Sequence, residues 1–172
     1  VEPDFNLEAA QLLVGRPDQK QAIVPLGPQG GELVALPPVD LAVTGIMAME
    51  LVDLEITGAS LRSDVLVNFD QVAPGELALT IEFDATSRKG GNWSLFPDNF
   101  ALVDPAGTAR SIDGSQLHNL PGSEEGALTP NHYVRFIVDE PPTGEYLLRF
   151  TPGGAFVGED GVTEASLTFS IN

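Results

Sequence analysis

The chain predicts an all-β protein of antiparallel strands in two sheets packed face to face. Three observations carry this. Apolar and polar residues alternate with period two in several stretches, giving each a dry face and a wet face. Gly (18 residues) and Pro (14 residues) exceed average usage and supply turns. No long helical pattern separates the strands, so parallel βαβ units are not expected.

The clearest strand runs from Leu77 to Asp84. Leu77, Leu79, Ile81 and Phe83 form its dry face; Ala78, Thr80, Glu82 and Asp84 form its wet face. A polar, exposed loop is expected over Ala85–Asn92, which contains Gly90-Gly91. Pro97–Gly107 then reads as a short strand ended by a turn with Pro105 and Gly107. Upstream, Val52, Leu54 and Ile56 alternate with Asp53, Glu55 and Thr57, and Gly58 ends this strand or begins a bulge. Val65, Val67 and Phe69 mark another strand. Ser111–Gly126, rich in Gly and Pro, reads as a long exposed loop. Alternation resumes with Val134, Phe136 and Val138, then with Tyr146, Leu148 and Phe150, and last with Leu167, Phe169 and Ile171. This predicts seven to nine strands in a sandwich spanning 46–172, preceded by an N-terminal extension, 1–45.

The extension is the least strand-like part. Asn6–Val14 contains helix formers with Asn6 as a cap and Gly15 as a stop, which predicts a short helix in need of a docking surface. Two short apolar runs follow, Gln21–Leu26 and Glu32–Leu36, bounded by Pro and Gly and so expected at sheet edges.

Composition narrows the function classes. The net charge is −17, spread along the chain, and Lys20 and Lys89 are the only lysines. Such a surface repels nucleic acid and anionic membranes. It suits solubility outside the cell, a high-salt habitat or divalent cations. With no cysteine there is no disulfide, no thiolate chemistry and no Cys-ligated metal. The longest weakly charged apolar run, Leu41–Met49, is far below the roughly 20 residues that span a bilayer as a helix. A start at Val1, with no basic and apolar leader ahead of it, reads as that of a processed chain.

The order of features from Gly75 to Phe150 resembles a known pattern. It comprises the alternating strand, the polar loop, Pro97-Asp98-Asn99-Phe100-Ala101-Leu102-Val103-Asp104-Pro105-Ala106-Gly107, the Leu128-Thr129-Pro130 turn, Phe136-Ile137-Val138-Asp139-Glu140-Pro141 and Leu148-Arg149-Phe150. These features resemble the secreted bacterial immunoglobulin-like domains related to the mycobacterial immunoprotective extracellular antigen. Ala85–Gly91 departs from that family's Asn-containing turn, and residues 1–45 have no counterpart in it. The resemblance implies an exported immunoglobulin-like sandwich, secreted or at the cell surface, and it carries no catalytic residues.

No catalytic motif stands out. His118 and His132 are the only imidazoles, and neither has a nucleophile elbow or a metal-ligand spacing around it. A cleft enclosing His132 beside a carboxylate would point to an enzyme; without one, no enzymatic activity is expected. Calcium is the one cofactor the loops suggest, because hard cations take several oxygen ligands from turns. Asp98, Asn99 and Asp104 flank one turn, Glu159 and Asp160 lie in another, and Asp70 and Glu76 flank a third. Asn92-Trp93-Ser94 is a glycosylation sequon in the predicted loop.

The sequence therefore predicts a non-enzymatic extracellular binding or adhesive module with a protein partner. The alternative is a filament or surface-layer subunit, self-associating by donor-strand exchange and stabilised by calcium. Its assembly residues would be Ile23, Val24, Leu26, Leu33 and Val34, whose strand could join a neighbour's sheet edge. Arg88 and Lys89 would meet that neighbour's acidic face.

Overall fold

The fold is that of a computed structural model, which describes residues 11–14, 22–25, 34–35, 39–62, 66–67, 70–73, 75–152 and 163–172. Seventeen strands are described. They are β1 (Gln11–Val14), β2 (Ala22–Pro25), β3 (Val34–Ala35), β4 (Val39–Leu41), β5 (Gly45–Ala48), β6 (Val52–Arg62), β7 (Leu66–Val67), β8 (Asp70–Gln71) and β9 (Glu76–Ser87). Then come β10 (Gly91–Trp93), β11 (Phe100–Val103), β12 (Ala109–Ser111), β13 (Gly114–Gln116), β14 (Leu120–Ser123), β15 (Leu128–Asp139), β16 (Gly144–Phe150) and β17 (Ala165–Ile171).

Two antiparallel sheets make the sandwich, as the alternation predicts. One has the order β13-β15-β9-β6, with β4 and β5 sharing the far edge of β6; the other has the order β12-β11-β16-β17. The pairing of β4 with β6 brings Val39–Leu41 into the sheet, so the paired body reaches back into the stretch read as an extension. The dry faces meet as predicted. Leu79, Ile81, Phe83, Leu54, Val134 and Phe136 of the first sheet are buried with Phe100, Leu102, Leu148 and Phe150 of the second. Phe100 links the layers, with ring centroids 5.4 Å from Phe83 and 4.9 Å from Phe150. Burial of each such side chain stabilises by about 1.5–3 kcal/mol relative to exposure.

Several local expectations are overturned. Gln11–Val14, read as the end of a helix, is a strand: it pairs with Ala22–Pro25, which pairs in turn with Val34–Ala35. A run of three apolar residues, Leu12–Val14, is too short to carry a period, so pairing decides its conformation. That pairing also makes β2 the central strand of its small sheet, not an edge. Asn6 to Ala10, and Leu26 and Leu33, lie outside the described residues.

In the stretch read as one strand, Leu66–Val67 pairs antiparallel with Asp70–Gln71, and Val65, Asn68 and Phe69 lie outside the described residues. The polar loop after β9 is shorter than expected. β9 continues to Ser87, with Ala85 and Ser87 fully buried, and Gly91–Trp93 forms another strand. Pro97–Asn99 is a 3-10 turn, and β11 begins only at Phe100. Ser111–Gly126 holds β13, which pairs with β15, and β14, which pairs with β10. These short strands raise the count between residues 50 and 172 above the expected seven to nine. Their main-chain ladders need no alternating side chains, so the sequence concealed them.

Candidate functional site

The most irregular place in the first sheet is the level of Phe83. Ile56 faces Phe83 and Gly58 faces Glu82, so Thr57 is an extra residue on β6. On the other side of β9, Thr129 faces Ala85 and His132 faces Phe83, so two residues, Pro130 and Asn131, oppose Asp84 alone. Bulges therefore flank β9 on both sides at one level. The β6 bulge also reverses the side-chain phase: Val52, Leu54 and Ile56 point inward before it, and Ala59 and Leu61 after it. Asn131 has φ 65°, and Asp84 holds it there by accepting its N–H at 3.0 Å on Oδ1. A left-handed non-glycine residue held by its surroundings is a feature of ligand sites.

The bulges open a cleft of about 260 Å³ on the outer face of this sheet, lined by Thr57, Thr80, Glu82, Gln116, Asn131, His132 and Tyr133. Glu82 lies back over the β6 bulge: a Cβ added at Gly58 would stand 3.2 Å from its Oε2. Gln116 comes from β13, the edge strand, and its Nε2 lies 3.1 Å from His118 Nε2. The cleft thus presents two hydroxyls, two amides, a phenol and one carboxylate.

A cleft enclosing His132 with a carboxylate does exist. The imidazole, however, belongs to the core. It is 1% exposed, it stacks on Phe83 with centroids 5.1 Å apart and an interplanar angle of 9°, and its Nδ1 accepts the backbone N–H of His118 at 3.2 Å. That bond assigns the ring proton to Nε2, which is buried and has no hydrogen bond of normal geometry among the described residues. Burial, and then the neighbouring His118, push the pKa below the ordinary value; the Thr129 carbonyl and Asp84 oppose this. A general base needs a free ring nitrogen facing the substrate. One nitrogen here is occupied and the other is enclosed. The ring anchors the bulge and the β13–β14 connection.

Among the described residues, Asp98, Asn99 and Asp104 are not gathered as a metal site. Asn99 Oδ1 accepts the N–H of Phe96 at 3.0 Å, and its amide donates to the Thr151 carbonyl at 3.3 Å. Asp104 Oδ1 accepts the N–H groups of Ala106 and Thr108, and its Oδ2 lies 3.1 Å from Arg110 Nη2. The Thr108 N–H above all, with Arg110 and the Ala106 N–H, holds this carboxyl below its ordinary pKa, so its oxygens serve the turn. Asp98 is exposed. Among the described residues no three His, Asp or Glu side chains gather as a metal site. Glu159 and Asp160 lie outside the described residues.

Ile23, Val24 and Val34 lie in the small N-terminal sheet. Arg88 makes an ion pair with Asp53 at 2.9 Å, and Lys89 pairs with Glu50. The basic pair is thus engaged within its own chain, across the turn that joins β5 to β6. Asn92 sits in β10, in a paired strand and not in the predicted loop.

Thr57, Thr80, Glu82, Gln116, Asn131 and Tyr133 were not singled out from the sequence. The available signals were the phase reversal after Ile56 and Pro130 inside an apolar alternation, where proline implies a bulge or an edge.

No family model matches the chain, and no curated protein does. Solved structures that share its fold include two proteins of low sequence identity. One is a candidate lipoprotein of Bacillus subtilis (ycdA), 13% identical, with TM-score 0.56 over 73% of this chain and 38% of that one. The chain thus spans well under half the length of that neighbour. The other is a functionally unknown protein of Listeria monocytogenes, 10% identical, with TM-score 0.53 over 78% of this chain and 86% of that one.

Proposed function

We propose that this chain is a non-enzymatic binding module working at or beyond the cell surface, with its ligand seated in the cleft between the two bulges. The observation that carries this reading is the double bulge itself. Two strands depart from regular pairing at one level of β9, and both sets of extra residues, Thr57 and Asn131, line the same cleft. Regular pairing would stabilise the sheet more, so the irregularity calls for a use. Enclosure of His132 removes the imidazole as a base, and Glu82 is left as a single carboxylate with no second acid among the described lining residues to pair with it, which favours binding over catalysis. The acidic composition, the fold shared with a candidate lipoprotein and the resemblance over Gly75–Phe150 support a surface location.

The test is retention of labelled protein on isolated bacterial cell envelopes. Thr57 is exposed at the mouth, so Thr57→Trp fills the cleft without entering the core. Wild type is expected to be retained and Thr57→Trp to be lost by tenfold or more, about 1.4 kcal/mol. Equal retention of the two would move the binding surface elsewhere. Steady release of soluble product from the envelopes would make the protein an enzyme.

A further inference from the structure

Within the cleft reading, the geometry points to a neutral, polyhydroxylated ligand: one sugar unit of an uncharged glycan chain. The lining decides the class. Thr57, Thr80, Gln116 and Asn131 carry hydroxyl and amide groups that both donate and accept, which is what a ring of alternating hydroxyls requires. Glu82 adds a charged acceptor, and an ionised carboxylate forms the stronger hydrogen bonds to hydroxyl donors.

No Lys or Arg is among the described lining residues, and the chain carries −17. A phosphate or carboxylate ligand would enter with no counter-charge. The guanidinium of Arg135 in β15 is turned onto Gly114, where an added Cβ would lie 2.5 Å from its Nη2, and it faces Asp113 at 3.6 Å. Among the lining side chains only the Tyr133 and His132 rings have apolar faces, and His132 is stacked into the core, so a lipid finds little to bury against. Tyr133 is half-buried, with an aromatic body and a polar tip.

Size agrees. About 260 Å³ lies just under the roughly 300–1,000 Å³ of pockets for drug-sized ligands, room for one ring.

Nuclear magnetic resonance titration of the ¹⁵N-labelled full chain tests this. Chitotetraose and cellotetraose are the neutral probes; tetralysine and inorganic phosphate are the charged ones. The neutral sugars are expected to shift the amides of Thr57, Glu82, Gln116, Asn131 and Tyr133 with Kd of about 0.1–1 mM. Gln116→Ala and Asn131→Gly should each weaken this about tenfold. Asn131→Gly is the informative variant: glycine relaxes the φ 65° backbone and keeps the N–H bonded to Asp84, so it folds at least as well while losing the amide. Full sugar affinity in Asn131→Gly would overturn the assignment. Shifts at these amides with tetralysine and none with sugars would overturn the glycan and leave the cleft reading standing. Sugar shifts confined to another face would overturn both.

Discussion

His132 shows how one side chain can look catalytic in sequence and be structural in the fold. Its ring fills the space under the β15 bulge, and its acceptor nitrogen takes the His118 N–H at 3.2 Å. The linkage to pH has a definite sign. A histidine whose folded pKa is depressed binds protons less readily folded than unfolded. Its contribution is therefore complete above the unperturbed 6.5 and is lost as pH falls below that value toward the depressed folded one. Thermal melts from about pH 7.5 down to about pH 5.5 should show Tm falling in wild type. His132→Gln keeps an acceptor and removes the titration. It should be less stable by about 1–3 kcal/mol at the upper pH, through lost ring packing, and much flatter with pH. An equal pH slope in the two proteins would show that another group sets the acid sensitivity.

Strands and their register decide what the sequence could reveal. Alternation exposed β6, β9, β15, β16 and β17, because each buries one face and the period survives in the residue order. It also signalled the bulge at Gly58. The cleft was hidden for the opposite reason. Its hydroxyls, amides and carboxylate come from β6, β9, β13 and β15, are ordinary wet-face residues in each, and meet only through cross-strand register. The sandwich seam was equally hidden. Gly45 has φ 153°, and a Cβ there would stand 2.5 Å from Leu167 Cδ1, so β5 closes against β17 of the other sheet only because this residue is glycine. Gly45→Ala should cost about 1–3 kcal/mol through the positive φ and the overpacking against Leu167 together. In a chain of this size that lowers Tm by roughly 2–12 °C. Adding Leu167→Ala should recover part of the loss, seen as non-additivity in a double-mutant cycle. Additive losses would mean that the seam has room.

At the scale of the molecule, charge and strand pairing both bear on assembly. Each copy carries −17, so two copies repel, the more so at low ionic strength, where the repulsion reaches beyond the roughly 8 Å screening length of physiological salt. Donor-strand exchange would also have to take β2 away from β1 and β3, which already pair with it on both sides. A freed strand gains from a neighbour's edge only the surplus over the ladders it abandons. Arg88 and Lys89 are held by Asp53 and Glu50, so recruiting them to a neighbour exchanges one surface ion pair for another, worth about 0–1 kcal/mol either way. Together these considerations favour a monomer over a filament. Size-exclusion chromatography of the full chain and of a variant lacking residues 1–36, each with calcium and with chelator, should give monomers in every condition. A larger species formed by the full chain and abolished by the truncation would reverse this reading and make the N-terminal strands the assembly element. A larger species induced by calcium in both the full chain and the truncated variant would make the acidic turns, and not the strands, its cause.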